Sequence, residues 1–187
     1  MKTLLVTLGT LALTATAAHA GDFKVEYNEN ATTAAKSAKS DTVKTEFNNF
    51  VFGDTFRYSV EANLTQANGK GAVSGQLISK VGAVVPVGFL TLKPRVEYGT
   101  VEGLGKASQF YGLEGQVTSK TPIKPLTVTL GYRQRFNGNG GIGNRVTREE
   151  VSAEYALTKK YGVGLAYYHN SGDSTSNVLG AYLKAKF

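Results

Sequence analysis

After about residue 20, hydrophobic and polar residues alternate one by one along most of the chain. In TFRYSVEANLT, Phe56, Tyr58, Val60, Ala62 and Leu64 fall on one face, and Arg57, Ser59, Glu61, Asn63 and Thr65 on the other. A strand turns successive side chains to opposite sides, so this period of two predicts a strand with one apolar and one polar face. The pattern recurs with Leu90, Leu92, Val96 and Tyr98 against Thr91, Lys93, Arg95 and Glu97, and with Tyr111, Leu113 and Val117 against Glu114, Gln116 and Thr118. Leu126, Val128, Leu130 and Tyr132 oppose Thr127, Thr129, Arg133 and Arg135, while Val151, Ala153, Tyr155 and Leu157 oppose Glu150, Ser152 and Glu154. Tyr161, Val163, Leu165 and Tyr167 form a further apolar set, and the chain closes with Leu179, Ala181, Leu183, Ala185 and Phe187 against Gly180, Tyr182, Lys184 and Lys186. No segment sustains the 3.6-residue period of an amphipathic helix.

The connections fall into two groups. QANGKG, TVEGLGKA, NGNGGIGN and SGDSTS are polar and glycine-rich, as exposed loops are, and VGAVVPVG, SKTPIKP and TKKYG lie between them at the opposite end. Their order predicts eight strands from about residue 54 to residue 187. FKVEYN and TVKTEFNNF alternate as well, with Asn28 to Asp41 as a long loop between them. The total expected is ten strands, with eight or twelve as alternatives because each strand's signal is weak.

Ten amphipathic antiparallel strands suit two architectures. A soluble sandwich or barrel turns the apolar face inward. A membrane barrel turns it toward lipid and encloses the polar face. Three features favour the second. Tyr98, Tyr111, Tyr132, Phe136 and Tyr161 stand near strand ends, where interfacial girdles belong. The apolar face carries Ala62, Gly115, Ala153, Ala181 and Ala185, which would leave voids in a packed core but fit against fluid lipid. The polar face carries long side chains of both signs.

Residues 1–20, MKTLLVTLGTLALTATAAHA, join one lysine to a short apolar run and an A-x-A end, the form of a secretory signal peptide cut before Gly21. Residues 21–187 are expected as a single exported β-barrel domain. The 22 glycines and 19 aromatics against four prolines fit a strand-and-turn protein, and the absence of cysteine excludes disulfides and thiolate chemistry. Formal charge is +7, or +6 once Lys2 leaves with the leader. That excess suits polyanionic surroundings without choosing among lipopolysaccharide, acidic glycans and nucleic acid.

The terminal strand, with Leu179, Leu183 and Phe187 on one face and the aromatic residue last, resembles the closing strand of Gram-negative outer-membrane β-barrel proteins. The resemblance implies outer-membrane localisation in contact with lipid and lipopolysaccharide, and implies that Phe187 is an assembly signal read by the barrel assembly machinery. It covers the leader, the strand pattern and the terminus, and is specific to the class rather than to a member.

Catalytic chemistry has little to stand on. His169 is the one histidine after the leader, and no GxSxG, HExxH or Asp/His cluster occurs. His169-Asn170-Ser171 resembles the His-x-Ser of outer-membrane lipid A 3-O-deacylases, but residues 174–187 lack the acid that would orient the histidine, and Asp173 lies in the turn. A rim histidine beside a turn serine is the preferred reading. No catalytic, cofactor or metal site is expected.

The enclosed face is more informative. It is expected to carry Arg57, Glu61, Lys93, Arg95, Glu97, Glu114, Arg133, Arg135, Glu150, Glu154 and Lys184 as lumen-lining residues. Two readings follow. The basic excess lines a small passive pore that favours small anions or acidic solutes, in the style of small porins for acidic oligosaccharides, which this sequence distantly resembles. Alternatively the charges pair into a plug and the barrel is a closed structural or interaction protein. Arg133, Arg135 and Glu150 are expected to meet when their hairpin folds. Nucleic-acid binding is disfavoured because the barrel encloses the basic residues. Oligomeric state is not legible in the sequence.

Overall fold

The computed structural model describes residues 21–32, 40–51, 53–67, 73–103, 106–123, 125–137, 146–172 and 175–187. The expected leader at 1–20 and the central residues of the expected glycine-rich loops lie outside them. The strands are β1 (Asp22–Thr32), β2 (Ser40–Val51), β3 (Phe56–Ala67), β4 (Val73–Ala83), β5 (Val85–Val87), β6 (Leu90–Gly103), β7 (Lys106–Lys120), β8 (Leu126–Asn137), β9 (Val146–Ala156), β10 (Tyr161–Gly172) and β11 (Ser176–Lys186).

Every neighbouring pair is antiparallel. The order runs β4, β3, β2, β1, β11, β10, β9, β8, β7, β6, and β4 pairs with β6 to close the wall. Short β5 carries β4 onward along β6, with Val85 opposite Leu92. The break between them lies beside Pro94, which has no N–H to give to the ladder. The barrel is therefore ten-stranded, as the alternation predicts.

Closure removes every sheet edge, which a lipid environment requires. At the seam, Gly21 and Phe187 exchange backbone hydrogen bonds at 3.0 and 3.1 Å. The wall is strongly staggered. From Lys24, the register runs one way through Glu46, Glu61, Ile78, Gly99 and Phe110 to Asn137, at the loop end of β8. The other way it runs through Lys184 and Gly162 to Ala156, at the turn end of β9. Closing a sheet demands such tilt and shear.

Side-chain direction is inverted relative to a soluble protein. Leu183 is 65% exposed and Leu165 61%, whereas Glu61 is 0% and Lys80 1% exposed. Tyr98, Tyr111, Tyr132 and Tyr161 all face outward, and the Tyr111 ring stacks on Phe136 at 5.4 Å.

Both described chain ends lie with the short connections, at what we term the turn end. Gly53 and Gly88 take φ of 76° and 61° there, a region that favours glycine. The Thr158 side-chain oxygen accepts from the Lys160 and Tyr161 backbone N–H groups and shapes the β9–β10 turn. Two expected connections are shorter than predicted. Asn30 donates to the Ser40 carbonyl and to Thr42 Oγ1, carrying the β1–β2 ladder into the expected long loop. VGAVVPVG is mostly strand, with only Gly88 and Phe89 left between β5 and β6.

Candidate functional site: the charged interior

Alternation aims one face of all the strands at a common axis, so ionisable residues that are far apart in sequence meet inside. At mid-height they form a closely packed layer. Lys80 of β4 reaches Glu61 at 2.6 Å, Glu114 at 3.2 Å and Glu46 at 3.9 Å, carboxylates from three other strands. Arg95 of β6 contacts Glu46 across the lumen at 3.1 Å and Glu114 at 2.8 Å. Lys44 adds a contact to Glu61 at 3.5 Å. Each acid of the layer thus has cations on more than one side, as buried carboxylates require. All these side chains are withdrawn from solvent.

On the loop side the composition turns basic. Arg135 donates to Glu97 through Nε at 2.6 Å and to Gln76 at 3.3 Å, and its guanidinium lies 4.2 Å from the Phe110 ring centre. Arg133 is 3.8 Å from the same Glu97. Arg148 stands directly opposite Arg133 in the ladder. It donates to Asn170 at 2.8 Å and stacks over Tyr168. Tyr168 in turn donates its hydroxyl to Glu26 at 2.6 Å.

Toward the turn end, Arg57 and Lys184 share Asp22 at 2.9 and 3.8 Å, and Lys184 also reaches Glu154 at 3.3 Å. Lys24 pairs with Glu26 at 2.5 Å and caps the Tyr182 ring.

Glycine makes room for these bulky groups where two strands come close. A Cβ on Gly164 would press into the Tyr182 ring, and one on Gly112 would meet Glu97.

All the expected lumen residues lie on the enclosed face: Arg57, Glu61, Lys93, Arg95, Glu97, Glu114, Arg133, Arg135, Glu150, Glu154 and Lys184. Their pairing differs from expectation at one point. Glu150 accepts from Gln116 and Ser152, while Arg133 and Arg135 turn to Glu97. The register explains this. Arg133 faces Arg148 rather than Glu150, which lies opposite Gly131.

Lys24, Glu26, Lys44, Glu46, Lys80, Arg148 and Asp22 also belong to the network. The first four were legible as the polar face of the two N-terminal strands. Lys80 was hidden because β4 breaks the alternation, burying Ile78 inside and turning Ser79 outward.

Outside the lumen, the His169 Nδ1–H donates to Asn177 Oδ1 at 2.8 Å, and the Tyr167 hydroxyl donates to the same oxygen at 3.0 Å. An amide therefore stands where an acid would orient the histidine. Among the described residues no cluster of His, Asp and Glu is arranged to hold a metal ion.

No protein-family model and no curated protein matches the chain. Solved structures do. The COG4313 outer membrane channel from Pseudomonas putida F1 aligns with a TM-score of 0.57 at 10% identity, over 91% of this chain and 96% of that one. The β domain of the Bordetella autotransporter BrkA aligns at 0.55 and 10% identity, over 89% and 98%. The KdgM porin in complex with disordered oligogalacturonate aligns at 0.50 and 12% identity, over 90% and 99%. At these identities the likeness speaks of architecture alone. The chain has the fold of the outer-membrane β-barrels: all-β, antiparallel and closed.

Proposed function

We propose that the protein is a small outer-membrane barrel whose interior is shut by a salt-bridged plug, and that it acts as a closed, non-catalytic barrel with lipid and lipopolysaccharide against its outer wall. The observation that carries this reading is Lys80, 1% exposed and bound to Glu46, Glu61 and Glu114 from three other strands. An ion crossing mid-height would have to part contacts that satisfy all four groups, leaving charges buried and unpaired at about 3–5 kcal/mol for each broken pair. The proposal includes loss of residues 1–20 before Gly21 and recognition of the Phe187 end by the assembly machinery. An intact mass of membrane-extracted protein checks the first.

Planar-bilayer recording of reconstituted protein tests the plug. The expected result is a heat-modifiable, correctly folded barrel with no steady conductance.

A second reading, a small passive pore for small anions or acidic solutes, draws on the basic excess flanking the central layer, where Arg133, Arg135 and Arg148 crowd the loop side. The architecture shared with a porin solved in complex with oligogalacturonate supports it as well. Steady anion-preferring channels, with preference lost when Arg95 and Arg133 are neutralised, would establish that reading in place of the plug. Release of a fatty acid from lipid A, abolished by His169→Ala, would overturn both readings in favour of an esterase.

A further inference from the structure

Between the central layer and the turn end lies a polar chamber of about 70 Å³. Most charges around it are neutralised locally. Arg57 Nη2 donates to Asp22, Lys184 is held by Glu154 and Asp22, and the two Nη groups of Arg95 go to Glu46 and Glu114.

Two charged groups of the lining make no ion pair: Glu150, which accepts from Gln116 and Ser152, and Lys93. The half-buried Lys93 side chain lines the chamber, and its ammonium has no hydrogen bond or ion pair within 4 Å among the described residues. Arg57, Lys184 and Arg95 line the chamber with it. Of the acids that line the chamber, Asp22 is committed to Arg57 and Lys184, Glu46 to Arg95 and Glu154 to Lys184. Two more donors are buried without an acceptor, the Nε–H groups of Arg57 and Arg95, and both residues line the same chamber.

These donors share one stretch of wall. Arg57 pairs with Gly82, and Gly82 with Arg95, so the two arginines stand one strand apart on either side of a glycine. Their Cα atoms are about 10 Å apart, and Lys93 lies about 7 Å further along β6 on the same face. The row stays open because residue 82 has no side chain. A Cβ there would collide with the Pro94 carbonyl and with Arg95 Cγ.

Elsewhere this interior pairs its cations with carboxylates, carbonyls or rings. Here the Lys93 ammonium and two guanidinium Nε–H groups line one space without a bonded acceptor, although the carboxylates of Asp22, Glu46, Glu150 and Glu154 line it too, and a cation drawn away from water favours a counter-charge. We propose that Lys93, with the Nε–H groups of Arg57 and Arg95, forms a binding site for a compact oxyanion, a phosphate or carboxylate group entering from the turn end. The ammonium supplies the point charge and the guanidinium edges supply directed hydrogen bonds. The chamber has room for only a few water-sized groups, which suits a single oxyanion and excludes a polymer. The site is independent of whether the lumen conducts, so silent bilayers leave it standing.

The test is thermal unfolding of the refolded full barrel in lipid vesicles, at constant ionic strength, with chloride replaced by inorganic phosphate in one arm and by acetate in another. Wild type should gain several degrees in at least one arm, and that arm names the ligand class. Lys93→Met removes a cation that makes no ion pair, so it is expected to fold and to lose the shift. Phosphorus NMR titration of the same variant should show phosphate binding weakened at least about tenfold, if phosphate is the active arm. Lys186→Met, which alters a side chain 47% exposed near the mouth, should keep the shift. No shift in either arm for wild type overturns the proposal, as does a shift that Lys93→Met retains in full.

Discussion

Replacing Lys80 by methionine keeps the length of the side chain and removes its charge from the centre of the barrel. The three carboxylates it touches would not suffer equally. Glu46 keeps Arg95 at 3.1 Å, and Glu114 keeps Arg95 at 2.8 Å and the Gln116 amide at 3.1 Å. Glu61 loses its 2.6 Å partner and retains Lys44 at 3.5 Å and the Asn63 amide at 2.8 Å. One fully buried carboxylate is thus left short of charge, which places the cost at the lower end of the range for a broken buried pair, about 3 kcal/mol. Adding Glu61→Gln removes the stranded charge, so the double variant should recover about 2 kcal/mol of that loss, a coupling of ordinary size for contacting groups. The assay is reversible urea unfolding in lipid vesicles, followed by circular dichroism and tyrosine fluorescence, since the chain has no tryptophan. A loss below about 1 kcal/mol for Lys80→Met, or a double variant less stable than the single, would refute the claim that this layer is a cross-linked plug.

Leu165 is 61% exposed on the outer wall, and Leu165→Arg should cost about 2–4 kcal/mol in a bilayer, where a soluble barrel would tolerate it. Equal vesicle unfolding midpoints for the two proteins would contradict the outward-apolar assignment. Gly164→Ala should destabilise by about 1–3 kcal/mol, because its Cβ meets the Tyr182 ring and a neighbouring carbonyl, and Tyr182→Ala in the same background should relieve part of that in the same urea assay. Deleting Phe187 removes the ring stacked on Phe47 at 5.9 Å and the two backbone hydrogen bonds to Gly21 that close the seam. Outer-membrane yield of heat-modifiable barrel should fall while total synthesis stays level, and equal yields would count against the assembly role.

Alternation alone determined most of the wall. Because a pleated strand has period two, Phe56 and Tyr58 must face away from Arg57 and Ser59 whatever the fold, and ten such segments with turns between them imply an antiparallel sheet. The lumen residues, from Arg57 to Lys184, follow from the same parity. Parity holds only along a strand, however, and cannot say which residues of different strands meet. That depends on register and stagger, which closure of the barrel sets for all strands together. Hence Arg133 and Arg135 found Glu97 rather than Glu150, and Lys80 became the centre of the charged layer although Ile78 and Ser79 disguised its strand. The open wall around Gly82, with Arg57 and Arg95 on either side and Lys93 unpaired beside them, could be seen only after residues from β3, β4 and β6 had been brought into one row. Charge pairing is a property of distance in space, and alternation in sequence carries no distance beyond its own strand.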